Sequence, residues 1–348
     1  MKILVSALET SSNIHLEELI KYLPKDIELI GIFDKRLGKP NYDVSALAVM
    51  GFADALKKLP FLLRLNKEMA SLAKDVDKVL LMDSSGFNLP LAKKIKKQYP
   101  KKEIIYYILP QAWAWKKKRI PKIEKYCDTL CSILPFEKEF YHKKEMISYV
   151  GHPLLDEIKK FKTDTIKDGK IAFMPGSRRG EITKLIPIFK ELAKKLDKKA
   201  VLIIPSHFTK EYIDEVYGDI SYFEISTNTY DTLYEAEFAF ICSGTATLEA
   251  SLIGTPFVLT YIANSFDYNI LRHIVKLNYI GLANIFFEKM GKNPIHQELV
   301  QKDVTTQNIL DAYHSTSKEE FLNNSKILRD YLEYGSSKRV AKIVSDIK

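Results

Sequence analysis

Short apolar runs alternate with amphipathic helical stretches along almost the whole of this 348-residue chain, and that alternation restricts the fold more than any other feature. The runs Lys2–Ala7, Glu28–Phe33, Lys78–Met82, Glu103–Ile108, Thr129–Ile133, Lys170–Met174, Ala200–Ile204 and Phe238–Ile241 have the length and apolar content of buried strands. Helical spacing of apolar residues fills most of the intervals. Strands joined by helices pair in parallel, because the helix makes the crossover and covers the sheet. The expected fold is therefore α/β, with two Rossmann-like domains whose parallel sheets face a cleft. The boundary is expected at Gly151-His152-Pro153, before a charged stretch to Gly169-Lys170 where a second strand–helix series begins. Residues 1–155 form the first domain on this reading and 156–317 the second. The segment 318–348 reads as a helix that crosses back to the first domain.

Composition narrows the class. The chain carries a formal charge of +9, much of it in lysine blocks such as Lys93-Lys94, Lys96-Lys97 and Lys101-Lys102. Solvated helix faces account for most of these, and attraction to an anionic surface is the sharper reading. Three cysteines (Cys127, Cys131, Cys242) make no disulfide framework and suit a reducing cytosol. No matching pair follows Cys127 and Cys131, so no zinc site is expected. The apolar start, Met1 to Ala7, is too short for a secretory signal, and no run reaches the ~20 apolar residues of a membrane span.

The densest functional signal is Cys242-Ser243-Gly244-Thr245-Ala246-Thr247-Leu248-Glu249. It joins a strand to a helix that closes at Gly254-Thr255-Pro256. The free N–H groups and positive dipole of such a helix start suit a phosphate. Glu249, a little over a turn in, is placed to reach a sugar hydroxyl. A second anion-directed loop, Pro175-Gly176-Ser177-Arg178-Arg179-Gly180-Glu181, follows the strand at 170–174, and a helix from about Glu181 to Leu196 follows it. An ordinary helix cap explains either loop alone, but less readily both together. The glycines include no G-x-G pair and there is no P-loop lysine pattern, which argues against a dehydrogenase or a P-loop ATPase.

Asp83 ends the strand Lys78–Met82, at the carboxyl edge where ligands of such sheets bind. It is a candidate general base for an acceptor hydroxyl, and an Asx-turn or helix cap is the plain alternative. Glu9-Thr10-Ser11-Ser12-Asn13 follows the first strand on the same edge, with Ser11 or Ser12 a ready helix cap. Trp113-Ala114-Trp115-Lys116-Lys117-Lys118-Arg119 sets both tryptophans beside a cationic run. An anionic headgroup, a stacked sugar, or one core tryptophan with a solvated helix start would each explain it. The 51–65 segment, with Phe61 and Leu62 among its apolar residues, has a basic rim and an apolar face. It fits a membrane interface or packing on the sheet. Asn284 and His152 are weaker candidates, and Asp75-Val76-Asp77 lies at the wrong end of its strand to hold a metal.

Several of these motifs occur together in one order: Ala48-Val49-Met50-Gly51, Trp113-Ala114-Trp115 with its basic tail, Leu134-Pro135-Phe136-Glu137, Gly151-His152, Pro175-Gly176-Ser177-Arg178 and Ser243 to Glu249. The chain resembles the lipid-A-disaccharide synthases from its N-terminus to about Leu299. The resemblance implies the glycosyltransferase B fold. It also implies inverting transfer of 2,3-diacylglucosamine from UDP to the 6-hydroxyl of 2,3-diacylglucosamine 1-phosphate, giving a β(1→6) disaccharide and UDP. No cofactor or metal is implied, and the family's place is cytoplasmic, peripheral on the inner face of the inner membrane. The family's essential aspartate falls on Asp83, its loop arginine on Arg178 and its asparagine on Asn284. By similarity with the wider fold, Gly176, Ser177, Ser243, Gly244, Thr245, Ala246 and Thr247 hold the diphosphate and Glu249 the ribose. Glu9, Ser11, Phe61, Leu62, Trp113, Trp115, Lys116, Lys117, Lys118 and Arg119 fall on the acceptor or membrane side.

Three motifs depart from the family pattern. Its Gly-Glu-Thr-Ser-Gly-Asp stands here as Leu8-Glu9-Thr10-Ser11-Ser12-Asn13, its Asp-Ala-Pro-Asp-Phe-Asn as Asp83-Ser84-Ser85-Gly86-Phe87-Asn88, and its Ser-Pro-Ser-Val as Leu109-Pro110-Gln111-Ala112. All three lie in the half assigned to the acceptor. Standard donor use with altered acceptor details, such as acyl linkage or length, is the expectation. The rivals are another UDP-N-acetylglucosamine enzyme of the same fold, such as an epimerase, and a non-catalytic nucleotide sensor. A nucleic-acid-binding module is disfavoured by two anion-directed loops in one domain.

Overall fold

The computed structural model describes residues 1–44, 59–114, 117–263 and 278–346. Its chain divides into two compact units, Met1–Glu157 with Leu332–Lys348, and Ile158–Tyr331. The first holds a seven-stranded sheet: β1 (Lys2–Ala7), β2 (Glu28–Phe33), β3 (Tyr42–Asp43), β4 (Lys78–Met82), β5 (Glu103–Tyr107), β6 (Thr129–Ser132) and β7 (Ile147–Tyr149). The order is β3-β2-β1-β4-β5-β6-β7, with every pair parallel.

The period of two along β1 decides which helices cover which face. Leu4 joins the core layer under the helices Leu59–Leu72 and Ser85–Gln98, with Leu65, Met69, Leu91 and Ile95. Ile3, Val5 and Ala7 join the opposite layer, with Leu16 and Leu19 of the helix Thr10–Ile20 and Val340 and Val344 of the helix Ser336–Ser345.

The second unit repeats the plan with six strands: β8 (Lys170–Met174), β9 (Ala200–Ile203), β10 (Glu224–Ser226), β11 (Ala236–Cys242), β12 (Phe257–Tyr261) and β13 (Gln297–Val300). Their order is β10-β9-β8-β11-β12-β13, again all parallel. Phe173, Phe189, Phe223 and Phe240 meet as edge-on or tilted ring pairs in its core.

All eight expected runs form strands, with ends shifted by at most two residues. The sequence reading lacked β3, β7, β10, β12 and β13. β3, β7 and β10 are only two or three residues long. β13 is polar enough (Gln-Glu-Leu-Val) to hide its character.

The C-terminal segment also differs from expectation, since two helices occupy it. The helix Lys318–Leu332 lies in the second unit as far as Tyr331, and there Arg329 donates to the Leu252 carbonyl (2.6 Å) and lies over the Phe161 ring. The chain turns at Glu333 (φ 47°) and Gly335 (φ 88°), and from Leu332 onward, with the helix Ser336–Ser345, it belongs to the first unit. That last helix is seated by the Asp156 carboxylate, which accepts from the Gly335 and Ser337 N–H groups at 2.8 and 2.7 Å. The His152 N–H donates to the Leu332 carbonyl at 3.0 Å, and Nδ1 of the same ring accepts from the Leu154 N–H. Burial holds the His152 ring neutral, pushed down to about 3. His152 is thus held in structural hydrogen bonds where the chain returns to the first unit.

Gly151 makes this return feasible. It has φ +86°, and a Cβ there would stand 2.7 Å from the Glu333 carbonyl and 2.8 Å from the Arg339 guanidinium. Gly151→Ala should cost about 2–4 kcal/mol, seen as a lowered midpoint for the first unit in denaturant titration. Glu137 offers a second check. Its carboxyl is buried, accepts from Ser132 Oγ at 2.5 Å through Oε2, leaves Oε1 unpaired, and is pushed up to about 8 by burial. A raised carboxyl binds its proton more tightly in the folded chain. Its contribution is therefore fully present below about pH 4.5 and is lost as pH rises toward 8. Glu137→Gln should remove that decline and exceed the parent in stability by on the order of 3 kcal/mol at pH 8, read from midpoints at pH 5 and pH 8.

Candidate active site

In both sheets the strand order reverses once, between β1 and β4 and between β8 and β11. Loops that leave neighbouring strands in opposite directions open a crevice at the carboxyl edge. The candidate residues Glu9 and Asp83 follow β1 and β4. The two anion-directed loops follow β8 and β11.

Asp83 sits on a left-handed turn, with φ 48° at Asp83 and 39° at Ser84. Non-glycine residues adopt that region only when their surroundings hold them there. Here the Asp83 carbonyl accepts from Tyr106 Oη (2.6 Å) and Asn88 Nδ2 (2.9 Å), and its N–H donates to the Tyr107 carbonyl (3.2 Å). Asn88 is itself fixed, accepting from buried Ser6 Oγ at 2.6 Å and donating to the Met82 carbonyl at 3.0 Å. The next strand end carries the same strain, since Ile108, a β-branched residue, has φ 61°.

The turn lifts the Asp83 side chain out of capping duty. The helix Ser85–Gln98 has Ser84 as its N-cap, without a side-chain cap bond. The Asp83 carboxyl is pushed up mainly by burial, against the pull of the Ser84 N–H, and Glu9 pushes it further in the same direction.

Glu9 is exposed and accepts from Ser84 Oγ at 3.0 Å. It is also the N-cap of the helix Thr10–Ile20, so neither Ser11, which is exposed, nor Ser12, which is buried, takes the expected cap position. Asn13 does the tying instead, donating to the Ala7 and Glu9 carbonyls. Arg119, at the end of the short 3-10 turn Lys117–Arg119, donates to Ser85 Oγ at 2.6 Å and so brings the basic run to the Asp83 loop. Lys117 and Lys118 are exposed. Trp113 is a core residue, edge-on to Phe136 at 4.9 Å with its indole N–H unpaired. Trp115 and Lys116 lie outside the described residues, as do 45–58. Of the apolar 51–65 segment, Leu62 and Leu65 pack into the core while Phe61 and Leu63 are exposed.

In the second unit, Gly176 takes φ +103°, a backbone region that side chains rarely adopt, and a Cβ there would stand 2.6 Å from Glu181 Oε2 and 3.3 Å from Cys242 Sγ. The second contact places the two loops side by side. Arg178 is the N-cap of the helix Arg179–Lys195. Its N–H donates to Glu181 Oε2, and its guanidinium, 82% exposed, meets Glu181 Oε1 at 3.0 Å. Both loop arginines lie at the surface but with different partners: Arg179 is bonded to Glu215 on the helix Lys210–Tyr217 at 2.6 Å, and Arg178, beside exposed Ser177, pairs within its own helix start.

The helix Thr245–Ile253 starts after Gly244, with Thr247 Oγ1 donating to the Gly244 carbonyl at 2.7 Å. The Thr247 N–H also donates to the Gly244 carbonyl at 3.2 Å, and the helix start opens at exposed Thr245 and half-buried Ala246 beside Ser243. Glu249 is half-buried on the same helix. Asn284 is fully buried. Its Nδ2 donates to Glu298 Oε1 (2.8 Å) and the His296 carbonyl (3.0 Å), and its Oδ1 accepts the Ile295 and His296 N–H groups. The basic stretch 272–276 lies outside the described residues.

Sequence reasoning missed Ser6, Asn88 and Tyr106 around the Asp83 loop. The available signal was Asn88, one turn into the helix that Asp83 precedes. The bonds to Tyr106 and Ser6 span 23 and 82 residues of sequence and leave no local pattern. Among the described residues, no group of three or more His, Cys, Asp or Glu side chains is disposed to hold a metal ion, and no helix is long and apolar enough to cross a membrane.

Comparison with known proteins supplies the family. Among solved structures, the fold is similar to a S. aureus MnaA–UDP co-structure (TM-score 0.64, 15% identity, 99% of this chain and 95% of that one). It is also similar to CalG4, the calicheamicin glycosyltransferase (TM-score 0.57, 14% identity, 99% and 97%). These likenesses, with two parallel sheets, give the glycosyltransferase B fold. In sequence the chain is 52% identical to a lipid-A-disaccharide synthase of Helicobacter pylori, over 98% of this chain and 97% of that one. It is 47% identical to that of Campylobacter jejuni, over 99% of each. The family model for lipid-A-disaccharide synthetase matches residues 3–344, and the chain belongs to that family.

Proposed function

We infer that this enzyme transfers 2,3-diacylglucosamine from UDP to the 6-hydroxyl of 2,3-diacylglucosamine 1-phosphate, with inversion. The observation that carries the mechanism is Asp83: a half-buried carboxylate at the carboxyl edge, on a left-handed turn that releases it from capping. The 6-hydroxyl oxygen attacks the anomeric carbon, and its proton passes to the Asp83 carboxylate. The bond from that carbon to the diphosphate breaks, and the electron pair leaves on UDP. The products are a β(1→6) disaccharide and UDP.

Charge that grows on the leaving diphosphate is met by the Thr245 helix start and by Arg178, whose guanidinium can leave Glu181 for a phosphate. Ser177, Ser243 and Thr247 lie beside these groups, and Glu249 holds the ribose. Asn284 acts as a positioning residue. It fixes Glu298, whose carboxylate accepts the Ile280 and Gly281 N–H groups at 2.8 and 3.0 Å at the start of the helix Leu282–Lys289. Exposed Phe61 and Leu63, with Lys117 and Lys118, suit peripheral contact with an anionic bilayer that presents both lipid substrates.

The decisive test is UDP release from UDP-2,3-diacylglucosamine with and without acceptor in detergent micelles, in the presence of EDTA. Acceptor-dependent release that survives EDTA is expected, and release without acceptor would point to another use of the nucleotide sugar. Asp83→Asn should lower kcat by about 10²–10⁴-fold while UDP binding persists. Arg178→Ala should lower kcat/KM by about 10²–10³-fold. Sedimentation with phosphatidylglycerol vesicles should fall as salt rises and fall further in a Lys117→Glu/Lys118→Glu variant. Vesicle binding indifferent to both changes would remove the electrostatic reading.

A further inference from the structure

Arg119 is the arginine of the first unit whose charge is left uncommitted. Arg36, Arg64 and Arg339 each hold a carboxylate there, Asp34 at 2.7 Å, Glu68 at 2.9 Å and Glu333 at 3.0 Å. The half-buried Arg119 instead donates through Nη1 to the neutral Ser85 hydroxyl at 2.6 Å. Among the described residues no carboxylate pairs with it. A guanidinium presents its N–H donors as a planar fork, so one bond to a hydroxyl leaves most of the fork for an anion. A partly desolvated cation without a counter-ion gains most from an anionic ligand.

The place of Arg119 beside Asp83 decides which anion that is. Ser84 and Ser85 follow Asp83 directly, and their hydroxyls bond to opposite charges. Ser84 Oγ donates to Glu9 at 3.0 Å, and Ser85 Oγ accepts from Arg119. The Asp83 loop is thus bounded by an acid on one hydroxyl and a cation on the next. Lys117 and Lys118, exposed on the same short turn as Arg119, add to the positive side. An anionic group on the acceptor is repelled by Glu9 and drawn to Arg119. In a glucosamine ring, C1 and the C5 that carries C6 both flank the ring oxygen. A 1-phosphate and a 6-hydroxyl therefore leave the same edge of the sugar, close enough for one loop to meet both. A phosphate monoester carries about −1.5 to −2 charge at neutral pH, and its oxygens match the guanidinium fork.

We propose that Arg119 binds the 1-phosphate of the acceptor, and so selects phosphorylated acceptors and turns the 6-hydroxyl toward Asp83. The inference rests on the reading of the enzyme as a transferase to 2,3-diacylglucosamine 1-phosphate. Ser85 holds the guanidinium at the loop just past the base, and the reverse orientation of the sugar would set the phosphate against Glu9.

The test compares two acceptors, 2,3-diacylglucosamine 1-phosphate and the uncharged methyl glycoside of 2,3-diacylglucosamine. UDP-2,3-diacylglucosamine is the donor, in micelles of uncharged detergent. The parent, Arg119→Gln and Arg119→Lys are each checked for thermal unfolding and UDP binding. Arg119→Gln should lower kcat/KM for the phosphorylated acceptor by about 10–100-fold. It should change the methyl glycoside rate far less and leave the donor KM unmoved. Arg119→Lys keeps the charge without the fork and should fall between. Equal losses with both acceptors would mark a structural role and overturn the proposal, as would no loss with either or a raised donor KM. The micelles hold no phospholipid, so a loss seen there is not owed to a bilayer headgroup. A deficit that emerges only when phosphatidylglycerol is added would assign Arg119 to the membrane surface and likewise overturn it. Where Arg119→Gln does not fold, the ratio of the two acceptors in Arg119→Lys decides by the same criterion. If the parent transfers to neither acceptor, the transferase reading fails and this inference falls with it. If the parent transfers and only the Arg119 arms disagree, the inference alone fails.

Discussion

Parallel pairing of β1 with β4, and of β8 with β11, is the constraint on which the candidate chemistry depends. Each pair brings together strands distant in sequence, and each runs in register to its carboxyl end: Ala7 opposite Met82, and Ile241 opposite Met174. Because every strand in a sheet points the same way, every loop that can bear function leaves from one edge. A register slip of one residue in β4 would turn Leu81 toward the wrong layer and carry Asp83 away from Glu9 and Asn88. The two core layers of the first unit, divided by the alternation along β1, oppose that slip.

Strain in the Asp83 turn depends on the same framework. Left-handed backbone at Asp83, Ser84 and Ile108 costs of order 1–3 kcal/mol per residue, and it persists because Tyr106, Asn88 and the β5 carbonyls specify it. That cost presents one carboxylate at the carboxyl edge, engaged by the neighbouring Ser84 N–H. In the second unit the corresponding device is a glycine. Gly176 takes φ +103° and lets Glu181 reach back to the Arg178 N–H, setting the loop beside Cys242 and the Thr245 helix start.

Much of this was legible in the residues. Eight of the thirteen strands described, the turn at 242–249, the 175–181 loop and the position of Asp83 at a strand end all follow from local patterns. The expected helix caps at Ser11 or Ser12 were not the ones used. Three small polar residues in a row leave the cap ambiguous, and Glu9 takes it because Asn13 bonds back to Ala7 and Glu9. The single helix expected over 318–348 is two, because Glu333 and Gly335 can take left-handed backbone and Asp156 waits to cap the second. Arg178 and Arg179 look equivalent in sequence. Only the tertiary structure assigns them different partners, Glu181 within its own helix for Arg178 and Glu215 from another helix for Arg179.

The sequence by itself determined the periodicities, the glycine and proline punctuation, and the residue types capable of the chemistry, since these depend on neighbours within a turn or a strand. The tertiary structure alone decided that Asp83 is freed by Tyr106 and Asn88, that Asn284 is spent on Glu298 and His296, and that Arg119 meets the Asp83 loop through Ser85. Each of those is a contact between residues far apart in the chain. Its existence depends on sheet order and helix docking, which no local pattern encodes.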